Sequence, residues 1–332
     1  MVNAVLRRVA REGMPQLPEP PRVPVDDPRW RPQALAYLAI AQSHPAWLVE
    51  RWLDRFGYDA TEAWVRYDNT PADVTVWRTD GANHDDVEGE PTRYVPGGLT
   101  LTSGRDAIGL LATGRVYAQD EASAAVGLVA ACVARGRVLD ACAAPGGKTL
   151  AMASRTGADV RFIASDLRAR RVTLLAQTLA RARQRRVAVL RSDASRLPFD
   201  ASLDTVLIDA PCAGLGTLRR DPDVRWRRTA ADLPALVAVQ RALIEEGRRA
   251  MRPGGTLIYA TCSSEPEENE SLIADVLRAH PDLARVDLRH AGLPPTMTPL
   301  LTADGALRTW PHAHGLDAFH AVALRVAGKI DD

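Results

Sequence analysis

The chain has 332 residues, of which 46% are hydrophobic and 25% are charged, and its 42 basic and 41 acidic residues leave a net charge of +1. These values are typical of a soluble globular protein of about two domains and exclude wholesale disorder. No apolar run approaches the roughly 18 residues of a membrane span, and the arginine-rich first residues lack the apolar core of a signal peptide. The cytoplasm is therefore the expected compartment.

The four cysteines are widely spaced and form no CxxC pair; they are Cys132, Cys142, Cys212 and Cys262. Such spacing fits neither a zinc site nor a secreted disulfide framework, so reduced thiols are expected. His312 and His314 form a close pair, but no cysteine lies near them in the sequence. We therefore expect no metal site.

The first third of the chain combines helical patterns with short β-type runs. Met1 to Arg11 predicts a helix that is too short to bury its apolar face alone, and the Pro-rich segment Pro15 to Pro24 predicts a linker. Trp30 to Phe56 has helical periodicity, with Ser43 as the expected cap of the second helix in that region. Ala72 to Tyr117 predicts a small α+β domain, because short β-type runs alternate there with acidic and Gly/Pro turns.

A larger domain follows, in which short apolar or β-branched runs alternate with helical patterns. The runs are Arg137 to Asp140, Arg161 to Ser165, Val187 to Leu190, Thr205 to Ile208 and Thr256 to Tyr259. This alternation predicts an α/β fold with a mostly parallel, doubly wound sheet. His320 to Val326 predicts a further strand, antiparallel at the edge of the sheet. The expected parts of the chain are residues 1–24, 25–122 and 123–328.

A Gly-rich loop follows the first strand of the larger domain and opens a helix, where small residues let a ligand approach backbone N–H groups. The loop runs from Asp140 to Thr149 and lacks the GxGxxG spacing of a dinucleotide site. Carboxylates at the ends of later strands strengthen the prediction that this loop binds a ligand. Asp166, about twenty residues on, is placed to bind ribose hydroxyls, and Asp193 could accept from an adenine amine.

This acidic rim, which Asp209 extends, suits a ligand that carries ribose, adenine and a positive charge. It therefore predicts S-adenosylmethionine as the cofactor, and Arg171 is included in the predicted cofactor site. The alternative, in which Asp166 and Asp193 merely cap the helices that follow them, stays open.

Two turns with a cysteine, Asp209 to Cys212 and Tyr259 to Cys262, each follow a predicted strand. Ligands bind at the strand ends of an open α/β sheet, so the two thiols could face one substrate. Chemistry at carbon 5 of a pyrimidine requires such a pair. This carbon becomes nucleophilic only after a thiolate adds to carbon 6, and a second group must then remove the carbon 5 proton. The residues alone do not decide which cysteine attacks.

Lysine is rare in this chain, since only Lys148 and Lys329 accompany the arginines. A lysine in the Gly-rich loop therefore indicates a need for a compact ammonium group, which guanidinium does not mimic. A free cysteine has a pKa of about 8.5, so a cationic group such as Lys148 near the thiols would favour the reactive thiolate.

Two groups of arginines stand out. The first comprises Arg168, Arg170, Arg171, Arg181, Arg183, Arg185 and Arg186, and it could equally be a set of solvated helix faces. The second follows the Cys212 turn and comprises Arg219, Arg220, Arg225, Arg227 and Arg228. Because the second group adjoins the predicted pocket, we expect Arg219, Arg220 and Arg225 to contact RNA phosphates. Trp226 either stacks on a base or belongs to the core or a lid.

The motifs together resemble those of the bacterial Sun/RsmB-type RNA 5-methylcytosine methyltransferases, and the resemblance covers nearly the whole chain. The segments that carry it are Ser43 to Leu48, Gln119 to Ser123, Cys142 to Lys148, Asp209 to Cys212, Arg219 to Asp223, Ala260 to Ser263 and Pro266 to Asn269.

The resemblance implies a class I methyltransferase fold that binds S-adenosylmethionine. The implied contacts are Cys142, Ala143, Ala144, Pro145, Gly146, Gly147 and Lys148 of the loop, together with Asp166, Asp193 and Asp209. It also implies that Cys262 attacks carbon 6, while Cys212 assists proton removal and product release.

Three departures from the family pattern bear on the substrate. Asn3 to Arg8 resembles the end of a NusB-like RNA-binding domain whose remainder is missing, so residues 1–24 are expected to be a remnant and linker of a chain that is truncated or whose start is assigned late. Asp317 to His320 reads Asp-Ala-Phe-His where the family usually has Asp-Gly-Phe-Phe. The loop Ala213 to Gly216 is unusually rich in glycine.

The expected function is methylation of carbon 5 of a cytidine in RNA, most like the 16S ribosomal RNA enzymes. Asp209 is expected to bind the Watson–Crick edge of the extruded base, and Lys148 to assist. Residues 25–122 are expected to bind RNA, and the chain to act as a monomer without a membrane. Two alternatives remain: a methyltransferase for tRNA or a non-RNA substrate, and a non-catalytic RNA-binding assembly factor.

Overall fold

The computed structural model of the chain describes residues 2–13, 15–79, 87–102 and 107–328. Its α-helices are α1 (Val2–Glu12), α2 (Trp30–Ala36), α3 (Ala46–Phe56), α4 (Tyr58–Asp68), α5 (Ala107–Thr113), α6 (Glu121–Val133), α7 (Gly147–Ala153), α8 (Ala169–Arg181), α9 (Val224–Arg227), α10 (Leu233–Ala250), α11 (Glu270–Ala279) and α12 (Pro311–His314). Its strands are β1 (Thr75–Arg78), β2 (Gly89–Pro91), β3 (Gly98–Leu101), β4 (Val116–Ala118), β5 (Arg137–Asp140), β6 (Arg161–Asp166), β7 (Val187–Arg191), β8 (Leu203–Asp209), β9 (Met251–Thr261), β10 (Leu283–Val286), β11 (Leu307–Arg308) and β12 (His320–Val326).

The larger sheet has the strand order β10-β12-β9-β8-β5-β6-β7, and β11 pairs with β12. The pairs among β5, β6, β7, β8 and β9 are parallel, while β12 runs antiparallel to both β9 and β10. The central strand β8 is buried along nearly its whole length, because helices cover both faces of the sheet. The predicted α/β fold with a mostly parallel, doubly wound sheet is therefore confirmed.

The position of the last strand differs from the prediction. Strand β12 is antiparallel, as expected, but it lies inside the sheet, because β10 pairs along its outer side. Strand β10 has only four residues, and Ala284 is exposed, as is typical of a short edge strand. Its sequence pattern was too short to predict, so the edge was assigned to the wrong strand.

Helix α6 joins the larger sheet to a small antiparallel sheet with the order β2-β3-β1-β4. The helix is buried on nearly all sides, and the side chain of Asp120 accepts hydrogen bonds from the first N–H groups of the helix. The buried carboxylate of Glu121 accepts hydrogen bonds from the backbone N–H groups of Tyr94 and Val95, at 2.5 and 2.9 Å. The small sheet is thus attached directly to the helix that enters the larger domain.

Helices α2, α3 and α4 form a layer beside the loop that follows β8. Trp52 and Trp64 stack with their ring centroids 4.3 Å apart, and Leu215 and Leu218 of the β8 loop belong to the same apolar cluster.

The expected cap at Ser43 is wrong, because α3 begins after Pro45 without a side-chain cap, and Ser43 takes a positive φ of 57°. No helix among the described residues is long and apolar enough to cross a membrane.

Arg225, on α9, is a buried residue whose side chain connects this helical layer to the larger domain. Its side chain is only 4% exposed, and its guanidinium donates to the carbonyl oxygen of Ser43 and to the Asn69 side chain, both at 3.0 Å. The predicted RNA contact of Arg225 is therefore wrong, because RNA cannot reach a guanidinium group enclosed by protein. The division of the chain at residues 24 and 122 stays a prediction.

Replacing Arg225 tests this structural role. We expect Arg225→Ala to lower the free energy of unfolding by about 3 kcal/mol, because the carbonyl and amide oxygens it binds would lose their donors inside the protein. Arg227→Ala is the matched control: Arg227 is an exposed residue of the same helix, and its loss should change stability by less than about 0.5 kcal/mol. Urea unfolding measures both, and equal stabilities of the two variants would contradict the assignment.

Candidate active site

The two cysteine-bearing turns meet at the carboxyl ends of neighbouring strands. Strands β8 and β9 are parallel, with Asp209 opposite Ala260. Cys262 directly follows β9 and Cys212 lies three residues beyond β8, and their sulfur atoms are 3.3 Å apart. Both cysteines line one cavity of about 850 Å³, which we call the first cavity. The expectation that the two thiols face one pocket thus agrees with the structure.

One buried carboxylate holds the two cysteine turns together. Glu268 is fully buried, and its Oε1 accepts a hydrogen bond at 2.8 Å from the backbone N–H of Ala213, the residue after Cys212. Its Oε2 accepts from the hydroxyl of Ser263, the residue after Cys262. Burial raises the pKa of Glu268, although these hydrogen bonds oppose the change. The spacing of the two sulfur atoms therefore depends on a side chain that touches neither of them.

Two further buried side chains complete this support. Gln240 donates to the carbonyl oxygen of Pro211 at 3.0 Å and to Glu268 at 2.8 Å. The side-chain oxygen of Asn269 accepts from the hydroxyl of Thr261, the residue before the second cysteine, at 2.5 Å. In the sequence, Glu268 and Asn269 are recognisable only as part of a family motif, and no pattern indicates Gln240. Their function depends on contacts between distant segments, which no local pattern reveals.

Gly216 explains why the loop after Cys212 is rich in glycine. Its N–H donates to the carbonyl oxygen of Cys262 at 2.9 Å, and its own carbonyl oxygen accepts from the N–H of Ala318 at 2.8 Å. A Cβ atom at this position would lie 2.1 Å from the carbonyl oxygen of Ala318. Glycine is therefore required where the two cysteine loops and the turn before Phe319 come together.

A lysine–aspartate ion pair lies beside the thiols. The ammonium nitrogen of Lys148 is 2.7 Å from Oδ2 of Asp209 and 5.2 Å from the centroid of the Phe319 ring. Burial disfavours the charged ammonium, but the nearby carboxylate more than compensates and raises the pKa of Lys148. The charge of the Cys262 thiolate acts in the same direction. A positive charge is thus maintained close to the sulfur atoms.

The environment of Cys212 keeps this thiol protonated. The hydrogen bond shared with Cys262 raises its pKa well above the ordinary value, and burial and the charge of Glu268 act in the same direction. The buried hydroxyl of Tyr259, on β9, is a third titratable group close by. The contact between the two sulfurs is therefore the main reason why the pKa of Cys212 is raised, and either sulfur can be the donor in it.

The first cavity has the shape and lining that the predicted cofactor requires. It is lined by Cys142, Asp166, Asp193 and Asp209 among others, and its size is in the range of small-molecule sites. The carboxylate of Asp193 is held ionised, because its hydrogen bonds with Ser195 lower its pKa. Carboxylates are suitable acceptors for ribose hydroxyl groups and an adenine amine, so these residues fit S-adenosylmethionine.

Arg171 connects this acidic rim to the Gly-rich loop. Its Nε donates to Asp166 at 2.9 Å, and its Nη2 donates to the carbonyl oxygen of Ala144 at 2.6 Å. Asp166 also accepts from the N–H of Arg168, at 3.2 Å. Asp166 does not cap α8, because this helix has no side-chain cap and the bound N–H belongs to the residue before the helix, while the same carboxylate lines the cavity.

The Gly-rich loop separates the first cavity from a second one of about 320 Å³. Cys142 lines the first cavity, and burial raises the pKa of its thiol. The other loop residues on the second cavity are Ala143, Ala144, Pro145, Gly147 and Lys148. Gly146 takes a positive φ of 114°, which requires glycine at the start of α7. Asp209 lines both cavities, and Phe319 lines the second.

The predicted RNA-binding residues differ in their exposure and in their partners within the protein. Arg219 donates to the carbonyl oxygen of Pro71 and pairs with Asp73, so its guanidinium already has partners within the protein, and its contact with RNA stays a prediction. Arg220 lines the second cavity while it pairs with two carboxylates of the protein. Trp226 is 60% exposed, which leaves its ring accessible. RNA contact by Arg220 and Trp226 stays a prediction.

The two histidines near the end of the chain have structural contacts. His312 packs against the rings of Trp64 and Trp310, and Nδ1 of His314 accepts the backbone N–H of Trp310 at 2.9 Å. Within the described ranges, no three His, Cys, Asp or Glu side chains are grouped so that they could hold a metal ion.

The strand order, the antiparallel β12 and an acidic cavity at the carboxyl edge of the sheet define a class I methyltransferase. Residues 128–325 match the family described as 16S rRNA methyltransferase RsmB/F. A candidate methyltransferase of Mycobacterium tuberculosis is 36% identical over 98% of this chain and 71% of its own length. Ribosomal RNA small subunit methyltransferase B of Pseudomonas putida is 31% identical over 88% of this chain and 67% of its own length.

Among solved structures, that of PH0851 is 30% identical, with a TM-score of 0.76, over 87% of this chain and 68% of that one. The chain therefore belongs to the RsmB/F methyltransferase family. The family resemblance, the fold class and S-adenosylmethionine as the cofactor are confirmed at this level.

The role of Glu268 is tested by removing its carboxylate. We expect Glu268→Ala to lower kcat of methyl transfer by about a hundredfold with little change in the KM for S-adenosylmethionine, because the thiols lose their relative position. Glu268→Gln, which keeps an acceptor for Ala213, should restore most of the rate. Glu267→Ala is the control, since Glu267 forms a partly exposed pair with Arg51. Wild-type kcat in folded Glu268→Ala would refute the positioning role.

The contact between the sulfur atoms makes a prediction about thiol reactivity. In Cys262→Ala, Cys212 loses the partner that contributes most to its raised pKa, so its alkylation by iodoacetamide should begin at lower pH than in the wild type. Peptide mapping by mass spectrometry follows Cys212 separately from the other cysteines, and Cys142, a half-buried thiol on the same cavity, is the internal control. An unchanged pH profile for Cys212 would argue against a shared proton.

Proposed function

We propose that this protein transfers a methyl group from S-adenosylmethionine to carbon 5 of a cytidine in RNA, with 16S ribosomal RNA as the substrate. The observation that carries the proposal is the pair of thiols, 3.3 Å apart, on a cavity fitted to the cofactor. Methylation of an oxygen or an exocyclic nitrogen needs no thiol pair, whereas carbon 5 of a pyrimidine needs a nucleophile and a base. The description of the family and the name of the Pseudomonas relative support ribosomal RNA.

The target base is proposed to enter through the second cavity, with carbons 5 and 6 reaching the boundary with the first cavity, where Asp209 lines both cavities and the two thiols line the first. The volume of the second cavity suits one nucleobase, and Phe319 supplies an aromatic wall on which an extruded base can stack. Asp209 accepts hydrogen bonds from the Watson–Crick edge of the cytosine. Lys148, which pairs with Asp209, lies where its ammonium stabilises the negative charge that develops on the ring.

Addition to the base is assigned to Cys262. The ammonium of Lys148 lies near this sulfur, and a nearby cation favours the reactive thiolate, while the contact with Cys262 raises the pKa of Cys212. A bond forms between this sulfur and carbon 6, the electron pair of the ring moves toward N3, and N3 takes up a proton. Carbon 5 is then nucleophilic. S-adenosylmethionine supplies an electrophilic methyl group for this carbon when it is bound in the first cavity.

Cys212 is assigned the removal of the carbon 5 proton. Once the sulfur of Cys262 is bonded to carbon, it no longer carries a negative charge or shares a proton. Two causes of the raised pKa of Cys212 then disappear, so Cys212 can ionise at the stage where a base is needed. Cys212 first releases its own proton to water, and the carbon 5 proton then moves to Cys212. The bond between carbon 6 and sulfur breaks, N3 releases the proton that it had taken up, and the thiolate of Cys262 is regenerated. The adduct itself thus activates the base.

The assignment of the two cysteines predicts opposite outcomes for two variants. Cys262→Ala should lose methylation and form no covalent complex with RNA, because the attacking sulfur is missing. Cys212→Ala should accumulate a protein–RNA adduct that survives denaturing gel electrophoresis, because elimination fails. Each is measured with small-subunit ribosomal RNA and labelled S-adenosylmethionine, with Cys132→Ala, outside the cavity, as the control. The reverse pattern would exchange the two roles.

The substrate is tested separately from the chemistry. Bisulfite sequencing of ribosomal RNA from cells with and without the gene should identify one cytidine whose protection depends on this protein. Protection of a cytidine in transfer RNA instead, with none in 16S RNA, would retain the chemistry and reject the proposed substrate. Mass spectrometry of the nucleosides must show 5-methylcytidine, and a different methylated nucleoside would reject the chemistry itself.

A further inference from the structure

One unit of the larger domain is strongly basic although the chain as a whole is nearly neutral. Residues 168–191 contain eight arginines and no aspartate or glutamate. The rest of the chain keeps 34 of the 42 basic residues against all 41 acidic ones, so it is net negative by seven charges. The unit consists of α8, the turn after it and β7, the strand at one edge of the sheet. The protein is therefore electrically polarised toward this edge.

Five arginines of this unit are exposed and form no ion pair among the residues that the structure describes. They are Arg168, Arg170, Arg181, Arg183 and Arg185. None of them forms an ion pair with a carboxylate in the part of the chain that the structure describes, whereas most other exposed arginines of the protein do. We call these five side chains the arginine surface. Unpaired charges that repel one another do not stabilise the fold, so their position calls for an external anion.

The other three arginines of the unit have structural roles. Arg171 pairs with Asp166, Arg186 donates to carbonyl oxygens at the end of α7, and Arg191 donates to the carbonyl oxygen of Leu167. Within one unit, three arginines thus have partners in the protein, whereas the five of the arginine surface have no carboxylate partner among the described residues. The buried leucines of α8, Leu175 among them, fix the helix so that the free side chains face outward.

The arginine surface extends from the active-site edge of the sheet to the opposite end. Arg168 lines the first cavity, at the carboxyl end of β6. Arg181 is the last residue of α8, whose thirteen residues span about 20 Å, and Arg183 and Arg185 lie in the turn that follows it. An extended polyanion that enters the active site can therefore reach the distant arginines only if it continues well past the target nucleotide.

We propose that the arginine surface binds phosphates of structured RNA that flanks the target cytidine. The inference rests on the proposed function, since it assigns a docking surface to the same substrate. Arginine suits phosphate because its planar guanidinium makes paired hydrogen bonds. The binding is independent of base sequence and depends steeply on salt, as phosphate contacts do. RNA fits better than a membrane, because Arg168, at one end of the surface, lines the cavity that the two thiols also line.

The test removes the three distant arginines together. The triple variant Arg181→Gln, Arg183→Gln, Arg185→Gln should raise the KM for full-length small-subunit ribosomal RNA about tenfold, with unchanged kcat at saturation. The slope of log Kd against log salt concentration should become shallower by about two to three. The KM for a short single-stranded RNA that contains only the target cytidine and its neighbours should stay the same. The matched control replaces Arg241, Arg248 and Arg278, which pair with carboxylates elsewhere.

Each alternative outcome is informative. Wild-type affinity and salt dependence of the triple variant on long RNA would overturn the inference. Equal losses on long and short RNA would also overturn it, because they indicate damage at the active site. Loss of binding to phosphatidylserine vesicles with unchanged RNA binding would make the surface a membrane contact. If the wild type methylates no cytidine but binds a mixed-sequence RNA duplex through these arginines, the proposed function fails and the arginine surface stands.

Discussion

The contact between the two sulfur atoms is the constraint on which the rest of the active site depends. A parallel sheet brings the ends of β8 and β9 side by side, but strand pairing alone does not fix side chains that lie in the following loops. Glu268 fixes the relative position of the two loops, since its carboxylate binds the residue after each cysteine. Such a group is costly to bury, and its hydrogen bonds to both loops offset that cost. The fold thus keeps a buried carboxyl group at the point where the positions of the two cysteine loops must be fixed relative to each other.

The same arrangement lets two identical functional groups take different roles. Both cysteines lie on one cavity, yet the contact with Cys262, together with burial and the neighbouring carboxylate, raises the pKa of Cys212. The difference arises from the environment and not from the residue type. A protein that needs a nucleophile and a base at different stages of one reaction can therefore use two thiols, because formation of a bond at one sulfur changes the acidity of the other.

The arginines illustrate how a sequence pattern can be misjudged. The group after Cys212 adjoins the active site in sequence, and for this reason it was expected to contact RNA. In the folded chain Arg225 is buried against backbone oxygens and Arg219 is paired with Asp73, so both are used to hold the helical layer in place. The group on α8 was equally compatible with a solvated face. The distribution of acidic partners distinguishes the two groups, and these partners come from distant parts of the chain.

The sequence by itself determined the fold class, the main strands of the larger sheet, the Gly-rich loop, the carboxylates at the strand ends and the two cysteine turns. These features are local, because each depends on hydrophobic periodicity or on residue types that follow a strand. Only the tertiary structure decided the place of β12 inside the sheet, the roles of Glu268 and Gln240, the need for Gly216 and which arginines remain free. Each of these depends on contacts between segments far apart in the chain, and burial and hydrogen-bond partners are properties of those contacts.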